Sequence, residues 1–445
     1  MNRKKALIIT YYWPPSGGSG VQRWLKFSKY MREFGWEPII YTPSNPEFPM
    51  EDQSFLKDIP DNLTVIKRPI REPYKFYKFL SGKKPSEKVQ TGFLNESSKP
   101  GFLEKAFRWL RGNLFIPDAR KFWIKPSVRF LSKWIKENHI DIVITTGPPH
   151  SMHLIGKALK EKLNIKWVAD FRDPWTGIYY FEQLQLSQQS RKKHKELEKN
   201  CLDAADHIIT VGNKMKSDFE IITKNNISVI NNGFDSSDFE NLEEIKPDKF
   251  RIMYTGNFLP DQNPKELWES LGELIATDIT FKNNLELCFI GKTDSSIITD
   301  IEMNGLKGSL KLLSYLHHNE IPKLQKQAYL MLLSINRFKN ASYIITGKVY
   351  EYLASEKPIL AICPEDSDVA MIIKETSSGW IIPFGEKELI KSTLLNAYED
   401  FLSGSKRFKT NNISKYSRRE LTRQLCDMLN TQIHNSNHDI KESRF

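Results

Sequence analysis

Two series of short apolar runs, separated by a polar stretch, constrain the fold of this chain more than any other feature. The first series lies at residues 7–12, 38–41, 141–145, 167–171 and 207–211. The second lies at residues 251–255, 285–290, 310–314, 330–335, 358–362 and 380–382. These runs lack polar alternation, which is typical of strands buried on both faces of a parallel sheet. Amphipathic helical patterns between them predict stacked strand–helix–strand units, the α/β class.

The polar, acidic stretch at 236–249 separates the two series and is interpreted as an inter-domain linker. A chain of 445 residues also exceeds what one hydrophobic core usually supports. We therefore predict domains at 1–235 and 250–405, a last helix at 406–433 that packs on the first domain, and a disordered polar tail at 434–445. Two doubly wound domains would face each other across a deep cleft at the carboxyl ends of their strands.

The composition favours a cytoplasmic protein. No apolar run approaches the roughly 18–20 residues that cross a bilayer. The apolar stretch near the start is only about eight residues long and is ended by Pro14 and Pro15, so it is interpreted as a buried strand and not as a signal peptide. The 4 cysteines lie far apart without metal-ligand or disulfide spacing, which fits a reducing compartment.

The net charge of +11 is concentrated in one segment, residues 67–136, which is interpreted as a basic, aromatic insertion. It holds 18 Lys and Arg against 5 Asp and Glu, with aromatic residues throughout. This mixture suits anionic lipid headgroups, for which Lys75, Lys78, Lys83 and Lys84 are candidates. It would also suit RNA, or a solvated insertion whose rings pack into the domain. We favour peripheral contact with an anionic membrane, on the inner face of the plasma membrane, and expect no nucleic acid.

A glycine-rich loop, PPSGGSG at residues 14–20, follows the first predicted strand and precedes a helix. Glycines let backbone N–H groups approach an anion, and a helix N-terminus adds partial positive charge. The spacing is not the dinucleotide-binding fingerprint, because Arg23 occupies its last position. The loop predicts contact with an anion or sugar through Gly17 and Gly18, or only a tight turn.

The stretch TGKVYEYL at residues 346–353 opens a helix in the second half. Backbone donors around Gly347 and the Lys348 ammonium would make a seat for a diphosphate. Glu351 lies one turn further on, where its carboxylate could accept hydrogen bonds from two vicinal hydroxyls. The alternative is that Lys348 and Glu351 form only a surface ion pair. The apolar residues around them favour a binding site.

Polar side chains in the first half follow two predicted strands at their carboxyl ends. His150 and His153 follow one strand, and Asp170, Arg172 and Asp173 end the next. The histidines could hydrogen-bond a sugar hydroxyl or only pack and cap a helix. The charged trio could be an ion-pair brace, or Asp173 could contact a substrate hydroxyl while Arg172 binds a phosphate.

The stretch KVYEYLASEKPILA at residues 348–361 resembles the donor-site helix and strand of retaining glycosyltransferases of family 4, which have the GT-B fold. Other blocks follow in the family's order: YYWPPSGGSGVQRW at 11–24, ADHIITV at 205–211, VINNGFD at 229–235, MYTGN at 253–257, and 287–292 with 310–321. TTGPPHSMHLIG at 145–156 and WVADFRDPW at 167–175 are similar to a bacterial branch that builds surface polysaccharides. The resemblance covers roughly residues 5–45, 140–260 and 285–425.

This resemblance implies roles for particular residues. Glu351 would bind the donor ribose, Lys348 and the Gly347 amide would hold the diphosphate, and Tyr315 and Leu316 would border the base. The implied donor-binding residues are Gly17, Gly18, Gly256, Asn257, Tyr315, Leu316, Arg337, Gly347, Lys348 and Glu351. His150 and Asp173 are the candidate catalytic residues, with Arg172 and His153 facing the acceptor.

The sequence departs from the family pattern at three places. The family often has a pair of glutamates seven residues apart, and Tyr343 takes the place of the first. It also usually has an Arg and a Lys in the donor domain where this chain has Asn257 and Asn263. Lys265, Arg337 or Lys348 would then have to neutralise the phosphates.

The expected activity is retaining transfer of a hexose from a UDP-sugar, or a GDP-sugar, to a saccharide or lipid-linked acceptor in surface polysaccharide biosynthesis. No strong nucleophile is evident, so we expect front-face displacement in which the leaving phosphate helps to take the acceptor proton. We expect no cofactor and no metal, because no Asp-x-Asp follows a strand in a suitable position. The alternatives are a sugar-nucleotide epimerase and a basic nucleic-acid-binding protein.

Overall fold

The computed structural model describes residues 3–47, 51–72, 109, 112–243, 245–314, 316–338, 340–405 and 407–442. The chain divides into two compact units. Unit 1 comprises Met1–Asn231 and Leu421–Phe445, and unit 2 comprises Asn232–Glu420.

Unit 1 is built on a parallel sheet of seven strands in the order β3-β2-β1-β4-β5-β6-β7. The strands are β1 Lys4–Ile9, β2 Trp36–Pro43, β3 Thr64–Arg68, β4 Ile142–Gly147, β5 Lys166–Phe171, β6 His207–Thr210 and β7 Ile227–Val229. The helices are α1 Ser19–Met31, α2 Ile124–Asn138, α3 Ser151–Leu163, α4 Gln188–Ala204 and α5 Asn213–Ile222. Apolar clusters cover both faces of the sheet, as the continuous apolar runs predict.

Unit 2 has a parallel sheet of six strands in the order β10-β9-β8-β11-β12-β13. The strands are β8 Phe250–Thr255, β9 Leu285–Ile290, β10 Leu310–Leu313, β11 Leu330–Ser334, β12 Ile359–Ile362 and β13 Gly379–Ile382. Its helices are α6 Lys265–Thr277, α7 Ile279–Asn284, α8 Ser295–Met303, α9 Ile321–Gln325, α10 Lys348–Ser355, α11 Asp368–Thr376 and α12 Lys387–Ser403. A last helix, α13 Arg418–Glu442, begins in unit 2 and continues into unit 1.

The strand order of each sheet reverses at one point, between β1 and β4 in unit 1 and between β8 and β11 in unit 2. Loops that leave neighbouring strands in opposite directions open a crevice at such a point, which is where doubly wound sheets bind ligands. In unit 1 this point brings the glycine-rich loop after β1 beside the loop that carries His150 after β4. In unit 2 it brings Gly256 after β8 beside the loop after β11.

The ends of the basic segment belong to the folded sheet and helices of unit 1. Lys67 and Arg68 close strand β3, and all of 124–136 lies in helix α2. The predicted insertion therefore begins after β3 and ends before α2. Lys75, Lys78, Lys83 and Lys84 lie outside the described residues. Strand β3 escaped prediction because it is an exposed edge strand with polar residues at both ends.

The last helix is longer than the sequence pattern predicts. Helix α13 continues to Glu442, where we expected a disordered tail from residue 434. Leu421, Leu425, Cys426 and Leu429 of this helix are buried in a core cluster of unit 1. Among the helices of the described residues, none is long and apolar enough to cross a membrane.

Candidate functional site

The glycine-rich loop of unit 1 ends at the N-terminus of helix α1. Gly18 caps this helix with φ 90° and ψ 172°, a conformation that residues with a side chain rarely adopt. The first turn of α1 contains no acidic residue, so no carboxylate there offsets the partial positive charge of the helix N-terminus. Gly17 lies buried just before it. The loop therefore has the backbone needed to meet an anion, although Gly17 and Gly18 as donor contacts stay predictions.

Arg172 links the three loops that follow β1, β4 and β5. Its guanidinium donates hydrogen bonds to the carbonyl oxygens of Gly20, at 2.8 Å, and of Pro148. A Cβ on Gly20 would lie 2.8 Å from Arg172 Nη1, so a larger residue there would require the guanidinium to move. The two hydrogen bonds join Arg172 to the backbone around it and leave its other N–H groups for further partners. Its predicted contact with an acceptor phosphate stays a prediction.

A buried ion pair lies beside this link, between Asp170 and Arg23. Arg23 Nη2 lies 2.8 Å from Asp170 Oδ1, and the two side chains are 0–1% exposed. Trp24 Nε1 and Thr146 Oγ1 donate to the same carboxylate, each at 2.8 Å. Burial alone would raise the pKa of Asp170, but the Arg23 charge and these hydrogen bonds hold it below its ordinary value. Of the predicted charged trio, Asp170 thus pairs with Arg23 of helix α1.

His150 and His153 lie in an aromatic environment at the start of helix α3. His153 stacks on Phe171 with ring centroids 4.1 Å apart, and His150 stacks on Trp175 at 4.7 Å. Burial lowers the pKa of both imidazoles, that of His153 to about 3. Both rings are therefore neutral at physiological pH, and neither is a ready source of positive charge.

The free nitrogens of both histidines converge on Gly147. Thr145 Oγ1 lies 2.9 Å from His153 Nδ1, while His153 Nε2 and His150 Nδ1 are buried without a hydrogen-bond partner among the described residues. A Cβ on Gly147 would lie 2.6 Å from His153 Nε2 and 3.3 Å from His150 Nδ1. Two neutral imidazole nitrogens beside a bare Cα can hydrogen-bond uncharged groups such as sugar hydroxyls.

Asp173 follows β5 on a loop that helix α4 holds in place. Asp173 is an exposed residue, yet partial desolvation of its carboxyl by the surrounding protein raises its pKa, against the opposing charge of Arg172. Glu198 of α4 is buried and accepts hydrogen bonds from the backbone N–H groups of Trp175, at 3.0 Å, and Thr176, at 3.2 Å. Sequence reasoning missed Glu198, because a glutamate within a run of charged residues has the pattern of a solvated helix face.

Two of the predicted donor-binding residues of unit 2, Gly256 and Asn257, lie on the loop after β8. Gly256 has φ 92°, and its N–H donates to the Ile290 carbonyl at 2.8 Å. A Cβ on Gly291 would lie 2.7 Å from the Gly256 oxygen, so the two loops approach as closely as glycines allow. Asn257 is exposed, and its carbonyl accepts a hydrogen bond from the Tyr254 hydroxyl at 2.9 Å.

Lys348 opens helix α10 and extends over this loop. Its ammonium lies 5.1 Å from the centroid of the Tyr254 ring, and its Cε lies 3.1 Å from where a Cβ on Gly256 would be. Burial lowers the pKa of Lys348, although the charge of Glu351 opposes the shift. Gly347 and Glu351 flank it on the partly exposed start of the helix. The structure therefore brings together two motifs that lie about 90 residues apart in the sequence.

The remaining residues that were predicted to contact the donor form an ion pair, pack into the core or lie outside the described residues. Arg337 binds both carboxylate oxygens of Glu266, one at 2.9 Å, and this pairing neutralises its charge. Leu316 packs against a core cluster of unit 2, and Tyr315 lies outside the described residues. Asn263 is buried, where it binds Asp300 at 2.6 Å and Trp268 at 2.7 Å. Lys348 is thus the better-placed cation for a phosphate.

The arrangement of the strands, together with the glycine-containing loops of each unit, defines a class of protein. Two Rossmann-like parallel sheets, each with its glycine-containing loops at the point of strand reversal, form the GT-B fold of nucleotide-sugar-dependent transferases. The model of the Glycosyltransferase Family 4 matches residues 92–238, and that of the Glycosyl transferases group 1 matches residues 235–418. Together they account for most of the chain, which belongs to the glycosyltransferases of family 4 and transfers a sugar from a nucleotide-sugar.

Solved structures share the fold at low sequence identity. A glycosyltransferase from Rickettsia africae ESF-5 has a TM-score of 0.57 at 14% identity, covering 99% of both chains. A variant of Staphylococcus aureus TarM, in complex with fondaparinux, alpha-GlcNAc-glycerol and UDP, has a TM-score of 0.59 at 13% identity, covering 96% of this chain and 100% of that one. Anabaena HepE in complex with UDP has a TM-score of 0.54 at 13% identity, covering 99% and 100%. Among curated proteins, none matches the sequence.

Proposed function

We propose that the protein is a retaining, metal-independent glycosyltransferase that moves a sugar from a UDP-sugar to a saccharide or lipid-linked acceptor in surface polysaccharide biosynthesis. The observation that carries the proposal is the convergence of Lys348 on Gly256. A cation, a bare backbone loop and a helix N-terminus meet there, which suits a diphosphate. Glu351, one turn along the same helix, would accept hydrogen bonds from the ribose.

The chemistry follows from these groups. Lys348 is partly buried, so water screens its charge less than in bulk solvent, and it can act on the negative charge that develops on the leaving diphosphate. In unit 1, the neutral rings of His150 and His153 offer hydrogen bonds to uncharged hydroxyls. Asp173, with its raised pKa, would orient the acceptor hydroxyl while a phosphate oxygen takes the proton. The protein then acts mainly by positioning and by stabilising charge.

Several relatives support the finer assignments. TarM and HepE were solved with UDP, which favours a UDP-sugar as the donor. A lipopolysaccharide outer core galactosyltransferase, WaaB, shares the fold with a TM-score of 0.56 at 14% identity and supports the polysaccharide pathway.

We also propose peripheral contact with an anionic membrane on the cytoplasmic side.

A sugar-nucleotide epimerase is the second candidate. A putative UDP-N-acetylglucosamine 2-epimerase from Listeria monocytogenes has the same fold, with a TM-score of 0.57 at 11% identity, so the fold by itself does not separate the two activities. The family 4 match favours the transferase.

Labelled UDP- and GDP-sugars test the proposal. Without an acceptor, the transferase should slowly hydrolyse its donor to a free sugar that keeps the donor's anomeric configuration, as NMR of the first product would record. A donor returned with inverted stereochemistry at another carbon would instead establish the epimerase. Inversion at the anomeric carbon would refute retention.

Glu351→Ala tests the donor site itself. Hydrogen bonds to a charged group contribute roughly 1.5–3 kcal/mol, so UDP affinity should fall about 10- to 100-fold in calorimetry. Glu388→Ala is the matched control, because Glu388 also lies in the first turn of a helix of unit 2. Equal UDP affinity of the two variants would contradict the assignment of Glu351.

A further inference from the structure

A basic groove lies along the edge of unit 1, between the end of strand β3 and helix α2. Two adjoining cavities of about 760 and 720 Å³ form it, and they share Arg68 and Pro126. Lys125, Arg129 and Lys133 recur every four residues along α2 and so lie on one side of the helix. We call the groove lined by Arg68, Arg71, Lys125, Arg129 and Lys133 the basic groove.

The positive charge of the basic groove is largely uncompensated. Its inner carboxylate, Glu72, pairs with Arg120 at 2.9 Å and also accepts a hydrogen bond from Tyr11. Lys133 meets Glu137 at 3.5 Å, but both side chains are mostly exposed, and such pairs contribute little. Among the described residues, Arg71, Lys125 and Arg129 have no ion-pair partner. The groove is therefore suited to an anionic ligand.

Exposed apolar side chains adjoin the basic groove on the turn before helix α2. Leu114 is 54% exposed and Phe122 is 52% exposed, and Phe122 also lines one of the two cavities. Lys121 lies 5.4 Å from the centroids of the Phe115 and Phe122 rings and donates a hydrogen bond to the Leu114 carbonyl. We call residues 114–122 the apolar turn. A cation fixed beside exposed apolar groups is typical of a surface that meets a lipid interface.

Hydrogen bonds join the apolar turn to the start of helix α3, next to the predicted catalytic residue His150. The Asp118 carboxylate accepts hydrogen bonds from the backbone N–H of Ser151, at 2.8 Å, and from its hydroxyl, at 2.7 Å. Ser151 is the first residue of helix α3 and directly follows His150. A surface that binds the apolar turn would therefore also fix the position of His150 relative to that surface.

The structure favours a lipid surface over RNA as the occupant. Rings that bind RNA must offer a free face for base stacking. The Arg68 guanidinium lies 4.7 Å from the centroid of Phe130, and Trp123 is buried and stacks on Tyr41 at 4.8 Å. Those faces are occupied. The Phe122 ring is exposed, but Leu114 beside it gains nothing from a base and is stabilised in hydrocarbon.

We propose that the basic groove and the apolar turn together bind an anionic bilayer, with lipid phosphates in the groove and Leu114 and Phe122 at the hydrocarbon boundary. The inference rests on the proposed function, because it gives that function a membrane-held acceptor. It assigns the contact to described residues of unit 1 and couples it, through Asp118, to the acceptor side of the reaction.

Co-sedimentation of the full chain with phosphatidylglycerol–phosphatidylcholine vesicles tests the proposal. The groove variant carries Lys125→Ala, Arg129→Ala and Lys133→Ala. Each cation near an anionic surface contributes about 1 kcal/mol, so binding should weaken about 100-fold at low salt. The matched control carries Lys192→Ala, Lys193→Ala and Lys195→Ala in helix α4 of the same unit. It loses the same charge and should bind nearly as the wild type does.

A turn variant, Leu114→Ser with Phe122→Ser, tests the apolar part separately. Its binding should weaken about tenfold, including at high salt, where charges are screened. Hydrolysis of the UDP-sugar without vesicles reports folding and the proposed function in the same samples. All three variants should keep it. Loss of hydrolysis in the groove variant alone would indicate that this variant is misfolded. Vesicle binding by the turn variant would then support or overturn the proposal.

Equal losses in the groove variant and its control would overturn the proposal, because net charge and not location would then govern binding. So would a wild type that ignores anionic vesicles, or a groove variant that loses only salt-sensitive RNA binding. If no nucleotide-sugar is hydrolysed by the wild type while the vesicle results hold, the proposed function fails and the membrane contact stands.

Discussion

Asp170→Asn should destabilise unit 1 more than any surface substitution. The carboxylate is fully buried and accepts hydrogen bonds from Arg23, Trp24 and Thr146. Asparagine keeps one acceptor oxygen but removes the charge, which leaves the buried Arg23 guanidinium uncompensated. Breaking a buried pair in this way costs roughly 3–5 kcal/mol. In a unit of this size, each kcal/mol corresponds to about 2–4 °C, so the melting temperature of unit 1 should fall about 6–20 °C.

Thermal unfolding followed by near-UV circular dichroism measures this loss. The control is Asp203→Asn, which removes the same charge from an exposed pair with Lys199 and should cost at most about 1 kcal/mol. Adding Arg23→Met to Asp170→Asn should recover stability, because it removes the unpaired cation. A fall no larger than the control's, or a double variant as unstable as the sum of its parts, would refute the reasoning.

The pH dependence of this contribution has a definite sign. The folded-state pKa of Asp170 lies below its ordinary value, so the pair stabilises the protein at pH values above the unfolded-state pKa. That stability is lost as the pH falls through the lowered folded-state pKa. The stability difference between the wild type and Asp170→Asn should therefore shrink in acid, as denaturant unfolding at several pH values would record.

Three further changes address the half-sites. Gly256→Ala should cost about 1 kcal/mol in backbone strain and, by displacing Lys348, should weaken UDP binding about tenfold in calorimetry. The control is Gly305→Ala, because Gly305 also has a positive φ but its nearest neighbour is 4.0 Å away. This control should leave UDP binding unchanged. Because burial lowers the pKa of Lys348, UDP affinity of the wild type should fall with rising pH already below the ordinary pKa of lysine, and Lys348→Arg should flatten this profile. Glu198→Ala should lower kcat by loosening the loop of Asp173 while the dissociation constant of UDP stays unchanged; a parallel change in both would contradict a role confined to the acceptor side.

The sequence predicted the layers of the fold well because the decisive signal is local. Continuous apolar runs such as 167–171 and 358–362 can be satisfied only by burial on both faces, and these runs form central strands of the two sheets. Strand β7, with only partly buried residues at a sheet edge, lacks that signal and was missed. Membership of family 4 and the GT-B fold were likewise expected from the order of short motifs, and the comparisons confirm both.

The partners of individual side chains were harder to predict, because they depend on contacts distant in sequence. Nothing near Asp170 indicates that it pairs with Arg23, 147 residues earlier. Arg337 was predicted as a phosphate ligand, but its guanidinium binds Glu266 of helix α6, which lies 71 residues earlier in the chain. Lys348 was assigned from its position in a motif, but its approach to Gly256 becomes visible only when β8 and α10 are placed together.

Helix α13 has a consequence for the order in which the chain folds during synthesis. Leu421, Leu425, Cys426 and Leu429 complete a core whose other members come mostly from the first third of the sequence. Unit 2, by contrast, lies within Asn232–Glu420 and is complete before those residues leave the ribosome. The usual order, in which the N-terminal domain folds first, is therefore reversed for the final packing step. A nascent chain that stops at Glu420 would release a finished unit 2 attached to a unit 1 with an open core.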